Sequence, residues 1–166
     1  MKHEHQEHLF GPVFDLNSRI LILGSFPSVK SREISFYYGH PQNRFWKVLE
    51  TVTGERTGMS VEEKRDFLLK TRIAVWDVIK SCDIVGSSDS SIKNVKANDL
   101  DIILESCHIR KIFVNGKTAE RLYNKYIKNK IGINAVYLPS TSPANAAYNL
   151  ERLLAEWKKI NYPLND

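Results

Sequence analysis

The order of apolar and polar positions along the 166-residue chain predicts strands that alternate with helices. Ile20 to Leu23 form a continuous apolar run that Gly24 ends, as is typical of a strand buried on both faces. Similar runs predict three more strands, at residues 72–79, 110–116 and 133–140. Because such alternation is typical of a parallel sheet between helices, we predict an α/β fold: a three-layer α/β/α sandwich on a small, mostly parallel four-stranded sheet.

The connection from the first strand to the first helix is unusually long. Phe45, Val48, Leu49 and Val52 recur at helical spacing until Gly54 ends the run. About twenty residues separate this helix from the first strand, whereas two to six are usual. We therefore expect the connection to be a functional loop.

The same spacing predicts four more helices, at residues 60–70, 98–107, 117–130 and 141–160. Ser60 and Glu63 form a capping box at the first of these. In the last, Ser142 is predicted as the N-cap and Pro143 as the first helical residue. Residues 80–95 are polar and rich in serine, and they predict a loop.

Polar segments follow each predicted strand: "GSFPS", "WDVIKSC", "NGK" and "LPSTSPAN". The carboxyl ends of parallel strands meet at one edge of a sheet, where ligands bind in α/β folds. We therefore expect a single cleft that gathers all four segments.

The composition is that of a soluble globular chain, with 42% hydrophobic and 26% charged residues and no long apolar run. The length predicts one domain at residues 8–166, preceded by a mobile tail at residues 1–7. Because the N-terminus lacks the apolar segment of a signal peptide, we expect a cytoplasmic protein of bacterial or archaeal type that avoids membranes. Nothing in the sequence requires a protein partner, so a monomer is expected.

The net charge of +5 permits nucleic-acid binding, although ordinary surface lysines explain it equally well. Two cysteines are too few for a four-thiolate metal site, and we expect both to be reduced. His3, His5 and His8 lie in or beside the predicted mobile tail, which would hold a metal poorly. His40 and His108 have no partner at ligand spacing. We therefore expect neither a metal nor any other cofactor.

A serine nucleophile is one catalytic possibility, with Ser25 or Ser28 activated by His40 and an acid such as Asp77. The G-x-S-x-G motif of α/β hydrolases is absent, and no phosphate-binding glycine motif follows a strand. A serine hydrolase is therefore the weakest alternative, one that a fluorophosphonate would label without DNA.

The remaining chemistry is that of neutral amides and hydroxyls among aromatic rings. Its members are Gln42, Asn43, Asn115, Ser140, Thr141, Ser142 and Asn145, with Phe26, Phe36, Tyr37, Tyr38 and Phe45. Aromatic rings can stack on a flipped base while amides read its hydrogen-bonding edge. Structural explanations stay open, because Asn43 can cap its helix and Phe45 has the spacing of a core residue.

The segments "LILGSFPS", "GHPQNRFWKVL", "AVWDVIKSC", "IFVNGKTA" and "LPSTSPANA" together resemble the uracil-DNA glycosylase superfamily. "HPQNRFW" is similar to a segment of the mismatch-specific thymine/uracil glycosylases, and the whole set is closer to the hypoxanthine-DNA (deoxyinosine) glycosylase branch. The resemblance implies a uracil-DNA glycosylase-like fold. It also implies a monofunctional DNA glycosylase without cofactor, which binds damaged double-stranded DNA, flips out a deaminated base and hydrolyses its N-glycosidic bond in base excision repair.

The sequence departs from the mismatch enzymes at two positions. Phe26 stands where they carry a water-positioning asparagine, and the hypoxanthine branch, which looks the same there, has its catalytic asparagine in the second segment. That asparagine corresponds to Asn43, which would orient the attacking water. Leu138 replaces the first residue of a His-Pro-Ser or Asn-Pro-Ser motif and cannot donate to a departing base oxygen. The resemblance therefore implies weak or absent uracil excision.

The resemblance also implies a base-binding pocket. Its expected residues are Gly24, Ser25, Phe26, Pro27, Ser28, Phe36, Tyr38 and Asn115. Backbone N–H groups of residues 24–28 would stabilise negative charge on the leaving base, and Phe26 or an aromatic residue of "FYY" would stack on it. Core packing is an equal alternative for those rings. Asp77, Ser81 and Asp89 would shape the site, although a hydrogen bond from Asp77 to a turn is the simpler explanation.

A late loop is expected to enter the minor groove of DNA. Its residues are Pro139, Ser140, Thr141, Ser142, Pro143 and Asn145. Ser140 and Ser142 would contact phosphate beside a helix N-terminus. Lys47, Lys93 and Lys117 are further candidates for phosphate contacts, with solvated surface as the alternative.

Two other functions stay open at this point. The first is a uracil or G:T/U mismatch DNA glycosylase, which a comparison of uracil with hypoxanthine substrates would distinguish. The second is a catalytically inactive DNA-lesion-binding module, suggested by Phe26 in place of the usual asparagine.

Overall fold

The computed structural model describes residues 2–165, and within them the chain forms seven strands. The strands are β1 Glu4–Glu7, β2 Ile20–Gly24, β3 Ile73–Asp77, β4 Ile79–Ile84, β5 Lys93–Ala97, β6 Lys111–Asn115 and β7 Ala135–Leu138. The helices are α1 Val29–Ile34, α2 Phe45–Thr53, α3 Val61–Lys70, α4 Asp101–Leu104, α5 Lys117–Tyr126, α6 Lys128–Ile131, α7 Leu150–Trp157 and α8 Asn161–Asn165. Short 3₁₀ turns form at Asp89–Ser91 and Lys158–Ile160.

The predicted four-stranded sheet is confirmed. Its strands run in the order β3-β2-β6-β7, and every neighbouring pair is parallel. Gly24 pairs with Asp77, and Asn115 pairs with Leu138, so these strand ends lie in register. The polar segments that follow the strands consequently start from the same edge.

Helices cover both faces of this sheet, which confirms the three-layer α/β/α architecture. Every residue of β2 and β3 is buried, as strands with two covered faces require. The predicted stripe of α2 is buried at Phe45, Val48 and Leu49, and this helix packs against α7. None of the helices in residues 2–165 is long and apolar enough to cross a membrane.

The capping box of α3 is also confirmed. The Ser60 hydroxyl accepts a hydrogen bond from the Glu63 N–H at 3.0 Å, and the Glu63 carboxylate accepts one from the Ser60 N–H at 3.3 Å. Two other helix predictions need shorter bounds, because the helix expected at 98–107 spans only Asp101–Leu104 and the one expected at 117–130 breaks at Ile127.

A second, antiparallel sheet corrects two predictions. Residues 80–95 were expected to form a loop, but they contain most of β4 and the start of β5, in a sheet of order β1-β4-β5. In place of a mobile tail, residues 4–7 form β1, and Glu4 pairs with Ile84; Met1 lies outside the described residues. Predictions from local composition failed here because this sheet is stabilised by pairing between strands that are distant in the sequence.

The start of the last helix differs from the prediction as well. Helix α7 begins at Leu150, and its N-cap is Asn149, whose side chain accepts a hydrogen bond from the Arg152 N–H at 2.9 Å. The Ser142 hydroxyl accepts only from the Ala144 N–H, in a turn. Ser142 therefore caps no helix, and Pro143 lies in the loop that precedes α7.

Candidate active site

The four polar segments meet in one cleft of about 480 Å³ at the carboxyl edge of the parallel sheet, as predicted. Strands β2, β3 and β6 contribute their last residues to the walls, and the segment after β7 contributes the rest of that side. The lining residues include Gly24, Ser25, Phe26, Pro27, Ser28, Tyr37, Tyr38, His40, Asn43, Asp77, Asn115, Ser140, Thr141, Ser142 and Pro143. Most of the predicted pocket residues are therefore brought together.

The segment after β2 forms one wall. The Ser28 hydroxyl accepts from the Ser31 N–H and caps α1, which turns the chain away from the sheet. The Ser25 hydroxyl donates to Asp89 Oδ1 at 3.3 Å. Within residues 2–165, the amide N–H groups of Ser25, Phe26 and Ser28 donate no hydrogen bond. This wall therefore carries three backbone donors that an anionic ligand could use.

Asn43 lies in the cleft wall just before α2. Its carboxamide oxygen accepts a hydrogen bond from the Phe45 N–H at 2.9 Å. A carboxamide oxygen has two acceptor positions, so one remains available for water. The carboxamide nitrogen donates no hydrogen bond within the described part of the chain. The helix-end contact expected for Asn43 and a water-orienting role are thus compatible, because the contact fixes the plane of the amide.

Tyr38 contributes an aromatic ring to the cleft, and that ring stacks on Phe45 at a centroid distance of 3.8 Å. Its backbone has a φ of 51°, in the left-handed region that residues other than glycine rarely adopt. The Tyr38 hydroxyl is buried and has no hydrogen-bond partner within residues 2–165. Burial, reinforced by the nearby Asp77 carboxylate, raises the pKa of this phenol far above its usual range.

Phe36 does not line the cleft, which corrects its assignment to the base pocket. Its ring is 1% exposed and lies between Trp46, with which it stacks, and Tyr37. The left-handed turn at Ser35 and the residues after it direct the first ring of "FYY" into the core. Phe45, by contrast, is a core residue as its spacing predicted.

The predicted DNA-binding loop is divided between buried and exposed residues. Pro139 and Thr141 are buried, and the Pro139 carbonyl accepts a hydrogen bond from the Trp157 indole at 2.9 Å. Both residues are therefore excluded from the exposed part of the loop, which corrects their assignment to the minor groove, although Thr141 lines the cleft. Ser140, Ser142 and Asn145 are half-buried, and Pro143 is exposed at the tip.

Asn115 connects the third strand end to this loop. Its side-chain nitrogen donates to the Thr141 hydroxyl, and its side-chain oxygen accepts from the Thr141 N–H, both at 3.1 Å. Gly116 makes the close approach possible, since its φ is 97° and an added Cβ would lie 3.1 Å from the Ser140 Cβ. Asn115 lines the cleft, but its hydrogen bonds serve to hold the loop.

Arg44 is a site residue that the sequence did not single out. Its guanidinium donates to the main-chain carbonyls of Thr141, Ser142, Asn145 and Tyr148, with distances of 3.4, 2.8 and 3.2 Å to the first three. The backbone N–H of Arg44 donates to the Thr141 carbonyl as well. The residue after Asn43 thus fixes most of the loop that was predicted to bind DNA. The only signal in the sequence was its place within "HPQNRFW".

Asp77 does not bond to a turn through its side chain, contrary to the simpler explanation above. The Asp77 Oδ2 atom accepts a hydrogen bond from His8 Nε2 at 2.8 Å, and both side chains are almost completely buried. No sequence pattern connects these two residues, which lie 69 positions apart. His8 was missed because β1, which brings it to the cleft, was not predicted.

Asp89 lies at the exposed rim of the cleft, in the 3₁₀ turn of the segment predicted as a loop. Incomplete solvation raises the pKa of its carboxyl group above the ordinary value, and hydrogen bonds from Ser25 and Thr118 counteract this effect. Ser81 is buried in β4 and does not line the cleft.

Lys47, Lys93 and Lys117 are exposed and do not line the cleft. None of the three forms a salt bridge within residues 2–165, so all are available to phosphate. Their contact with DNA stays a prediction.

The geometry does not support a serine nucleophile. Ser25 bonds to Asp89 and Ser28 to Ser31, and neither hydroxyl bonds to a histidine within the described chain. His40 accepts the Gln42 N–H instead. Residues 2–165 also contain no group of three His, Cys, Asp or Glu side chains that could hold a metal ion.

The family is decided by comparison with known proteins. The model of the uracil DNA glycosylase superfamily matches residues 12–164. The chain belongs to this superfamily of DNA glycosylases. A hypoxanthine DNA glycosylase from Methanosarcina acetivorans is 37% identical over 153 residues, which cover 91% of this chain and 95% of that protein. One from Methanosarcina barkeri is 33% identical over 138 residues, covering 82% and 86%.

A solved structure supports the same assignment. The solution NMR structure of a Methanosarcina acetivorans protein, described as a candidate uracil DNA glycosylase, superposes with a TM-score of 0.78 at 35% identity. The match covers 95% of this chain and 97% of that one. The superfamily fold expected from the sequence motifs is therefore confirmed.

Proposed function

We propose that this member of the superfamily is a monofunctional DNA-deoxyinosine glycosylase, which hydrolyses the N-glycosidic bond of a flipped hypoxanthine in base excision repair. The observation that carries the proposal is Asn43, an amide held in the cleft wall by the Phe45 N–H with one oxygen lone pair free. Breaking an N-glycosidic bond develops positive charge on the sugar, which a weakly activated water can capture. Asn43 then needs only to orient that water.

The neighbouring wall supports departure of the base. Hypoxanthine leaves with negative charge that its lactam can delocalise, and the free N–H groups of Ser25, Phe26 and Ser28 are suitable donors for it. No lysine lines the cleft within the described residues, which favours hydrolysis over lyase chemistry.

The choice of hypoxanthine over uracil rests on two observations. The relatives named above are hypoxanthine DNA glycosylases, at 33% and 37% identity. The Leu138 side chain at the end of β7 is fully buried and carries no donor for a base oxygen. We therefore propose that uracil is a poor substrate, and that the exposed tip of the loop at Pro143 contacts double-stranded DNA.

The test is alkali-revealed cleavage of a labelled duplex that carries one hypoxanthine or one uracil. Wild-type protein should cleave the hypoxanthine strand, and Asn43→Ala should lower the single-turnover rate by about 100-fold or more because the water loses its orientation. Gln42→Ala is the matched control, since this exposed neighbouring amide does not line the cleft and should leave the rate unchanged.

Two results would redirect the proposal. Faster cleavage of the uracil strand would favour a uracil or mismatch glycosylase. Normal binding of both duplexes by folded wild-type protein, with no release of either base, would favour a catalytically inactive lesion-binding module.

A further inference from the structure

A buried imidazole–carboxylate pair joins His8 to Asp77, a residue that lines the cleft. His8 Nε2 is 2.8 Å from Asp77 Oδ2, and the two side chains are 1% and 6% exposed. Asp77 ends β3 and lines the cleft, whereas His8 follows β1 of the antiparallel sheet. The N-terminal segment thus contacts the site that the parallel sheet forms.

His8 is poorly satisfied by its own surroundings. Its ring packs among Phe10, Phe26 and Tyr37, at centroid distances of 4.5, 6.1 and 5.8 Å. Its second nitrogen, Nδ1, is buried and has no hydrogen-bond partner within residues 2–165. A phenylalanine would fill such an aromatic cluster without an unpaired polar atom. What the histidine adds at this position is therefore its hydrogen bond to Asp77.

Asp77 retains one carboxylate oxygen for a ligand. Oδ2 accepts from His8, and Oδ1 accepts no hydrogen bond within the described chain. The backbone here is fixed, because the Asn98 side chain donates to the carbonyls of Asp77 and Ile79 at 2.9 and 3.1 Å. Gly24 lets Oδ1 approach the backbone of β2, since an added Cβ at this position would lie only 2.5 Å from it. Asp77 therefore presents a rigid acceptor.

The chemistry of a carboxylate selects among bases, because it accepts hydrogen bonds and donates none. Deamination places a hydrogen on a ring nitrogen: N1 of hypoxanthine carries an N–H where N1 of adenine carries a lone pair. The same holds for N3 of uracil compared with N3 of cytosine. A lone pair directed at the carboxylate is repelled, so the acceptor favours the deaminated base.

We propose that Asp77 is a specificity-determining residue that accepts the ring N–H of a deaminated base, and that His8 is the positioning residue that holds its carboxylate. This inference rests on the proposed glycosylase function, since it requires a flipped base in the cleft. Asp77 reads the lactam that distinguishes hypoxanthine from adenine, and His8 keeps the free oxygen turned toward the base.

The experiment compares duplexes that carry hypoxanthine or unsubstituted purine, which has a lone pair at N1, at the same position. Dissociation constants and single-turnover excision rates are measured for wild type and Asp77→Asn. The amide of the variant can donate as well as accept. The preference for hypoxanthine should therefore fall by about tenfold or more, because purine gains a donor while hypoxanthine loses its charged acceptor.

His8 is tested with two substitutions. His8→Phe should keep the aromatic packing but lower the preference for hypoxanthine, and His8→Gln, which retains a donor, should restore part of it. His5→Phe is the matched control, because this nearby histidine is 61% exposed and pairs with Glu7 and Asp83 on the surface. It should leave the preference unchanged. Circular dichroism verifies that each variant is folded.

The two proposals fail in different ways. If wild type excises hypoxanthine but folded Asp77→Asn keeps the full preference, the assignment of Asp77 is overturned and the glycosylase function stands. A different result would be that wild type excises neither base but binds the hypoxanthine duplex more tightly, and that Asp77→Asn removes this binding preference. Recognition of the base by Asp77 would then stand, and the catalytic proposal would fail. A fall in thermal stability of His8→Phe with an unchanged preference would show that His8 is merely structural and overturn its positioning role.

Discussion

Arg44 determines the shape of the loop that precedes α7. A guanidinium presents five N–H donors in a fixed plane, and here these donors meet four carbonyls between Thr141 and Tyr148. Hydrogen bonds from a charged group contribute about 1.5–3 kcal/mol each when the partner is otherwise unsatisfied. Because Arg44 adjoins Asn43, one residue fixes the distance between the Asn43 amide and the loop that precedes α7.

Arg44→Lys should therefore loosen the loop, because an ammonium cannot reach four carbonyls in one plane. We expect amide hydrogen exchange at residues 142–149 to accelerate by at least tenfold and the free energy of unfolding to fall by about 2 kcal/mol. Weaker binding of lesion DNA should follow. Arg56→Lys is the control, since Arg56 is exposed and makes no hydrogen bond within residues 2–165. Unchanged exchange in Arg44→Lys would contradict the role.

At the scale of elements, α7 shows that the best local helix signal is not always the one used. Ser142 followed by Pro143 is a favourable helix start, but the carbonyls that would begin that helix accept from Arg44. The chain instead forms turns until Asn149, whose side chain caps the helix. The residues before the cap then remain free to form the loop over the cleft.

The assignment of this cap can be measured directly. Asn149→Ala should lower the free energy of unfolding by about 1 kcal/mol, because it leaves the Arg152 N–H without its side-chain acceptor. Ser142→Ala should lower the free energy of unfolding by appreciably less, because the Ser142 hydroxyl accepts a hydrogen bond only within a turn. Urea unfolding of both variants checks the order. A larger loss for Ser142→Ala would show that the helix begins earlier.

At the scale of the molecule, the two sheets share one hydrophobic core. Cys82 of β4 is fully buried in the same cluster as Ile22 and Phe113 of the parallel sheet. Val13 adds a bridge to β3 at the edge of that sheet, through paired hydrogen bonds with Val75 at 3.0 Å. We therefore expect the antiparallel sheet to unfold together with the parallel one.

Cys82 provides a probe of this cooperativity. Burial raises the pKa of its thiol to about 11. In the native protein near neutral pH, a reagent therefore cannot reach the thiol, and almost none of it is in the reactive thiolate form. In a Cys107→Ser protein, labelling by a thiol reagent should be negligible until urea unfolds the chain, with the same midpoint as the loss of helical circular dichroism. Labelling at lower urea would mean that the small sheet opens on its own.

Some features follow from short stretches of the chain. The apolar runs that became β2 and β3, and the helical spacing of Phe45, Val48 and Leu49, specify their elements because each signal is local and periodic. The same holds for the capping box of α3 and for the meeting of four strand ends in one cleft. The motifs around Asn43 were sufficient to indicate the superfamily.

Other features depend on contacts between distant residues. The antiparallel sheet needs pairing between β1 and β4, and polar, alternating strands of this kind give no strong local signal. Phe36 was placed in the pocket by its neighbours in sequence, yet the turn at Ser35 sends it into the core. Thr141 was assigned to DNA and is instead buried by Asn115 and Arg44.

The sequence by itself determined the parallel sheet, the edge that carries the cleft and the amide in its wall, because local periodicity and strand direction suffice for these. Only the tertiary structure decided that Arg44 holds the loop and that His8 holds Asp77. Both contacts are hydrogen bonds between residues that lie 69 or more positions apart, and no local pattern encodes which distant partner a polar side chain will meet.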